Sequence, residues 1–138
     1  MLLLVALVAP SELGAGYFPD RNPQPVIGWS WQLPLPPGQP EQRAHRVVGG
    51  LDYLPDGGDT RVRGRVGYRY DRRHVFVGLA ASLDHQGLGW SPEIGVKFLH
   101  LVEHDSIDPS LHLVIRGNIA PALDGLRSLS VLFGWNLY

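Results

Sequence analysis

The chain contains no cysteine, which excludes a disulfide framework, a thiolate nucleophile and a cysteine-based zinc site. It also lacks an excess of either charge: 12 Lys+Arg stand against 13 Asp+Glu, a formal net charge of -1. A general nucleic-acid binder normally carries a clear basic excess, so nucleic acid is not an expected partner. Charged residues are scarce at 18%, below the roughly 25% of ordinary soluble domains. No apolar run reaches the ~20 residues of a spanning helix; the most continuous is LLLVALVA at 2–9. Sustained 3.6-residue periodicity is absent as well. Glycine (17) and proline (12) are frequent among the 138 residues, which disfavours long helices.

What the chain does have is period-two alternation. From residue 24 onward, short segments follow one another, divided by turn-forming stretches at 34–42, 55–60, 71–73, 84–89, 103–110 and 121–125. Regular strands with regular turns are the mark of an antiparallel meander or barrel. In 61–70 one face collects Arg61, Arg63, Arg65, Gly67 and Arg69, and the other Val62, Gly64, Val66, Tyr68 and Tyr70. In 74–84, Val75, Val77, Leu79, Ala81 and Leu83 oppose Phe76, Gly78, Ala80, Ser82 and Asp84. In 90–103, Trp90, Ile94, Val96 and Phe98 oppose Glu93, Gly95, Lys97 and Glu103. Segment 111–120 sets Leu113 and Ile115 against His112, Arg116 and Asn118, and the last segment sets Phe133 and Trp135 against Ser128, Ser130 and Gly134. Earlier, Trp29 and Trp31 oppose Ser30 and Gln32, and Val47, Leu51 and Tyr53 oppose Arg46 and Asp52.

Seven strands thus share one pattern, and either face could be the inside. A soluble barrel buries the apolar face, whereas an outer-membrane barrel turns it to lipid and fills its interior with polar groups. Three features favour the second arrangement. The segments run about ten residues, the length of a tilted membrane strand. The rings Trp29, Trp31, Tyr53, Tyr68, Tyr70, Trp90 and Trp135 all lie on the apolar face, as interface girdles require. Glycine, alanine and serine alternate with the charges on the polar face, leaving room for long side chains in a narrow interior.

The expected interior network is Arg46, Asp52, Arg61, Arg63, Arg65, Arg69, Asp84, Glu93, Lys97, Glu103 and Arg116. It holds seven cations against four acids. Arg127 has apolar-face parity at a strand end, where its guanidinium would reach the lipid headgroups.

On these residues the chain resembles a small outer-membrane β-barrel protein of Gram-negative type. The resemblance covers 24–138 and rests on the strand pattern, on GWSPEIGVKF at 89–98 and on the aromatic terminus LFGWNLY. It implies an all-β, up-and-down antiparallel barrel of about eight strands in the outer membrane, in contact with its lipid. It also implies recognition of the C-terminal strand, ending at Tyr138, by the insertion machinery. Trp135 and Leu137 occupy the apolar face, so Tyr138 falls one residue out of the family's usual phase.

An even strand number requires one strand more than the seven, either within 2–20 or upstream. Residues 2–9 also have the length of a signal's apolar core, followed by small residues. Residues 1–16 therefore read as a signal-peptide remnant or an extra strand, and 17–138 as the barrel domain.

Chemistry is sparsely marked. His100-Leu101-Val102-Glu103-His104 has the H-x-x-E-H form of some zinc sites on helices, but here it ends an alternating strand, which sends His100 and Glu103 to opposite faces. Catalytic residues, a metal and a cofactor are not expected. The implied role is structural or surface-binding, without an open pore, since eight strands leave an interior that side chains fill. Two other readings are a soluble lipocalin-like carrier of an apolar ligand and a barrel-embedded lipid-modifying enzyme.

Overall fold

A computed structural model describes residues 11–19, 22–35, 45–55, 62–72, 74–84, 87–100, 110–119 and 125–136. They form eight strands: β1 (Glu12–Tyr17), β2 (Gln24–Leu35), β3 (His45–Tyr53), β4 (Val62–Asp71), β5 (Val75–Asp84), β6 (Gly87–His100), β7 (Ser110–Ile119) and β8 (Leu126–Asn136). Each pairs antiparallel with its neighbours in sequence, and β1 pairs with β8 to close the barrel, Glu12 opposite Gly134 and Tyr17 opposite Leu129. The all-β up-and-down barrel expected from the alternation is the fold found.

The eighth strand is ELGAGY at 12–17, within the 2–20 stretch expected to hold it; residues 2–9 lie outside the described residues. A domain boundary after residue 16 therefore cuts through β1. The strand escapes notice because Gly14 and Gly16 leave it little apolar contrast, yet it alternates like the others: Leu13 and Tyr17 face out while Glu12 is buried.

Up-and-down order puts the start of β1 and the end of β8 on one rim, here the terminal rim, together with the β2–β3, β4–β5 and β6–β7 connections. The β4–β5 turn is closed by the Arg72 amide donating to the Val75 carbonyl at 2.8 Å. On the opposite rim Gly87, which opens β6 opposite Asp84, holds φ 101°, a region that side chains disfavour.

Two irregularities break the ladder. One falls between Lys97 and Leu99, and the other between Asn118 and Ile119. In the second, Asn118 pairs with Ser128 and Ile119 with Leu126, so Arg127 is the extra residue of a β-bulge. The bulge re-aims Arg127 away from the headgroup position expected from its parity. Its side chain is 20% exposed, and Nη1 lies 3.9 Å from Asp84 Oδ1.

The two faces are sharply divided. Exposed large apolar side chains surround the barrel, among them Val66 (61%), Leu79 (52%), Ile94 (50%) and Val96 (49%). Inside lie Arg46, Asp52, Arg63, Arg65, Arg69, Lys97 and Arg116, all buried. A small apolar cluster of Val26, Leu54, Phe76, Val114 and Leu132 shares the interior with them.

Candidate functional site

The densest chemistry of the molecule is its interior, where strand parity delivers charged side chains from six strands to one axis. At the centre stands Arg116 of β7. Its Nη1 and Nη2 donate to Glu12 Oε2 and Oε1 at 2.8 and 2.9 Å, a bidentate fork of the strongest kind. Its Nε reaches Glu93 Oε2 at 3.1 Å and its Nη1 reaches Asp52 Oδ1 at 3.4 Å. Arg65 Nη2 adds a second cation to Glu12 at 3.2 Å and to Asp52 at 3.7 Å. Arg69 pairs with Glu93 through Nη2 at 2.7 Å and Nε at 2.8 Å, and donates to Gln32 Oε1 at 3.3 Å. Three guanidinium groups thus meet three carboxylates, and each charge is matched.

Smaller clusters close the two ends. Near the terminal rim Asp71 accepts from Lys97 Nζ at 2.8 Å and lies 3.6 Å from Arg46 Nη1. Toward the other rim Arg63 Nε donates to Asp84 Oδ2 at 3.2 Å. With its carbonyl turned to Arg63, the Asn118 amide accepts from Arg63 Nη2 at 3.2 Å and donates to Ser82 Oγ at 2.9 Å. Burying charges costs several kcal/mol per ion and is tolerated when each is paired and hydrogen-bonded; each charge named here has an opposite partner, and Arg65 Nε alone among their buried nitrogens is left without an acceptor among the described residues.

Phe76 is the largest fully buried side chain among the described residues. Arg69 lies over its face, Cζ 4.1 Å from the centroid, and His112 meets it edge-on at 5.5 Å. The tip of the ring, Cζ and the two Cε atoms, lies against Gly95, where a Cβ would collide with it. Gly95→Ala is therefore expected to destabilise the barrel by about 1–3 kcal/mol through overpacking, measured as a shift in the urea midpoint of the refolded protein. Gly64→Ala, whose new methyl would meet only Leu51 at ordinary contact distance, is expected to shift it far less.

Of the predicted interior residues, the structure brings together Arg46, Asp52, Arg63, Arg65, Arg69, Asp84, Glu93, Lys97 and Arg116; Arg61 and Glu103 lie outside the described residues. Sequence reasoning missed Glu12 and Asp71. Glu12 lies in the 1–16 segment, which reads as a signal remnant or an extra strand, and Asp71 in a turn-forming stretch, although it continues the inward parity of Arg65 and Arg69. Their inclusion corrects the charge balance: the expected excess of three cations falls to one, six cations facing five carboxylates among the described strand residues, the partly exposed Arg127 of the bulge apart. His104 and Glu103 of the H-x-x-E-H string lie outside the described residues, as does Tyr138.

Of the aromatics, Tyr53, Tyr68, Tyr70, Trp90 and Trp135 lie within a few residues of a strand end, whereas Trp29 and Trp31 sit toward the middle of β2. The Tyr70 hydroxyl accepts from Arg72 Nε at 3.3 Å, and that hydrogen bond raises the guanidinium's pKa above its ordinary value.

A recess lined by Ser11, Glu12, Ser30, Gln32, Arg69, His112 and Trp135 offers about 20 Å³, room for about one water molecule. Among the described residues, the ion pairs and the apolar cluster around Phe76 share the interior with this recess. Comparison with known proteins finds no matching family model, curated relative or solved structure.

Proposed function

We propose that this chain is an outer-membrane β-barrel protein of a Gram-negative bacterium, with a structural or surface-binding role and no open pore. One observation carries the reading: the outside is apolar and the inside is charged. A water-soluble monomer rarely exposes a contiguous apolar patch beyond a few hundred Å², yet Leu13, Leu33, Val66, Leu79, Leu83, Ile94, Val96, Phe98, Leu113 and Phe133 all face outward here. Hydrocarbon is the solvent that accepts such a surface. The same inversion weighs against a lipocalin-like carrier, whose interior must be apolar to hold an apolar ligand. Buried salt bridges do not by themselves argue for a soluble protein, because a polar interior is what a narrow membrane barrel requires.

The strand lengths agree. β4, β5 and β7 are each 10 residues long, within the 9–11 or so that cross the hydrocarbon at a tilt. In this reading the surrounding lipid is the principal partner, a cleaved signal directs export, and the C-terminal strand engages the insertion machinery.

The test is fractionation of the expressed chain, followed by electrophoresis of unboiled and boiled samples. The protein is expected in the outer-membrane fraction after a urea wash, migrating differently before and after boiling. Recovery in the soluble fraction without detergent would overturn the proposal.

A further inference from the structure

The sequence DRRH at 71–74 gives the β4–β5 turn one acid and three bases. Asp71 is folded into the barrel, where Lys97 and Arg46 neutralise it. Arg72 and His74 stay exposed on the outer rim, so the turn's outward charge is positive.

Arg72 is held in place rather than loosely solvated. Its amide is fixed to Val75, its Nε donates to the Tyr70 hydroxyl, and its guanidinium carbon stands 5.9 Å from the Tyr70 ring centroid. Tyr70 lies 5.3 Å from the ring of His45, which is hydrogen-bonded to the Tyr68 hydroxyl. With Nε engaged by the phenol, the two Nη groups remain as a fork. Directly alongside on the same outer face, Tyr68, Val75 and Val77 continue the apolar surface.

We propose that this corner binds the phosphate of an anionic glycerophospholipid, a partner that deepens the outer-membrane reading and rests on it. A planar guanidinium fork matches two oxygens of one phosphate. Tyrosine rings sit at headgroup depth in membrane proteins, and the valines beside them accept the first part of an acyl chain. Among the described residues, one guanidinium with neighbouring imidazoles suits a single phosphodiester.

The experiment refolds the full chain into phosphatidylcholine vesicles containing phosphatidylglycerol, then counts by native mass spectrometry the lipids that stay bound. Phosphatidylglycerol is expected to be enriched about fivefold over its bulk fraction, and Arg72→Gln is expected to return the ratio to bulk. Should that variant fail to refold, Tyr70→Phe, which removes the hydroxyl holding the guanidinium, is read the same way. A wild-type ratio equal to bulk, or full enrichment in Arg72→Gln, overturns the site. Insertion is followed separately by the heat-dependent change in migration. An inserted barrel without enrichment defeats only this proposal, whereas a chain that never inserts defeats the membrane reading as well.

Discussion

Replacing Arg116 with methionine is expected to destabilise the barrel by about 3–5 kcal/mol, the usual cost of removing one partner from a buried ion pair. The reason lies in what the side chain holds together. Arg116 is the only group in direct hydrogen-bond contact with all three central carboxylates among the described residues, at 2.8 Å from Glu12, 3.1 Å from Glu93 and 3.4 Å from Asp52. Without it, Arg65 and Arg69 must compensate three carboxylates between them.

A typical domain is stable by only 5–15 kcal/mol or so, so the variant stands close to unfolding. The check is urea titration of the refolded protein, followed by tryptophan fluorescence. Glu12→Gln combined with Arg116→Met is expected to be less destabilised than the two single changes added, with a coupling of about 0.5–3 kcal/mol. Strict additivity would mean that the Arg116–Glu12 fork contributes nothing to the fold.

The second large effect lies on the outside. Leu79→Arg, at the middle of β5 and 52% exposed, is expected to weaken the inserted barrel by about 2–4 kcal/mol if that surface meets hydrocarbon. Leu83→Arg, near the end of the same strand and on the same face, is expected to cost about 0–1 kcal/mol, since a guanidinium there reaches the headgroups. In water both positions would be ordinary exposed sites, where substitutions stay within about 0.5 kcal/mol. Equilibrium unfolding from vesicles, compared between the two variants, reads the depth dependence directly. Equal and negligible effects at Leu79 and Leu83 would remove the bilayer from the picture.

Much of this molecule was legible because a barrel writes its geometry in a period of two. Arg63, Arg65 and Arg69 share parity with Asp84 and Glu93 across the register, so knowing one inward residue on each strand places the rest. The reading failed where the alternation is weak or interrupted. β1 carries two glycines in six residues and hid both a strand and Glu12. Asp71 looked like a turn residue because aspartate is common there, although its parity was inward. Arg127 was misplaced because a bulge adds a residue that no periodic count can see.

The sequence by itself determined the strand count to within one, the all-β meander and the sorting of charged from apolar side chains, because side-chain direction alternates along any extended chain. Which face turns inward was a property only the closed barrel could decide, since alternation is symmetric between inside and outside. Closure also decided the partners: Glu12 and Arg116 lie 104 residues apart, and no local rule joins them. They meet because β1 completes the ring beside β8, which brings Glu12 within hydrogen-bond reach of Arg116 on β7.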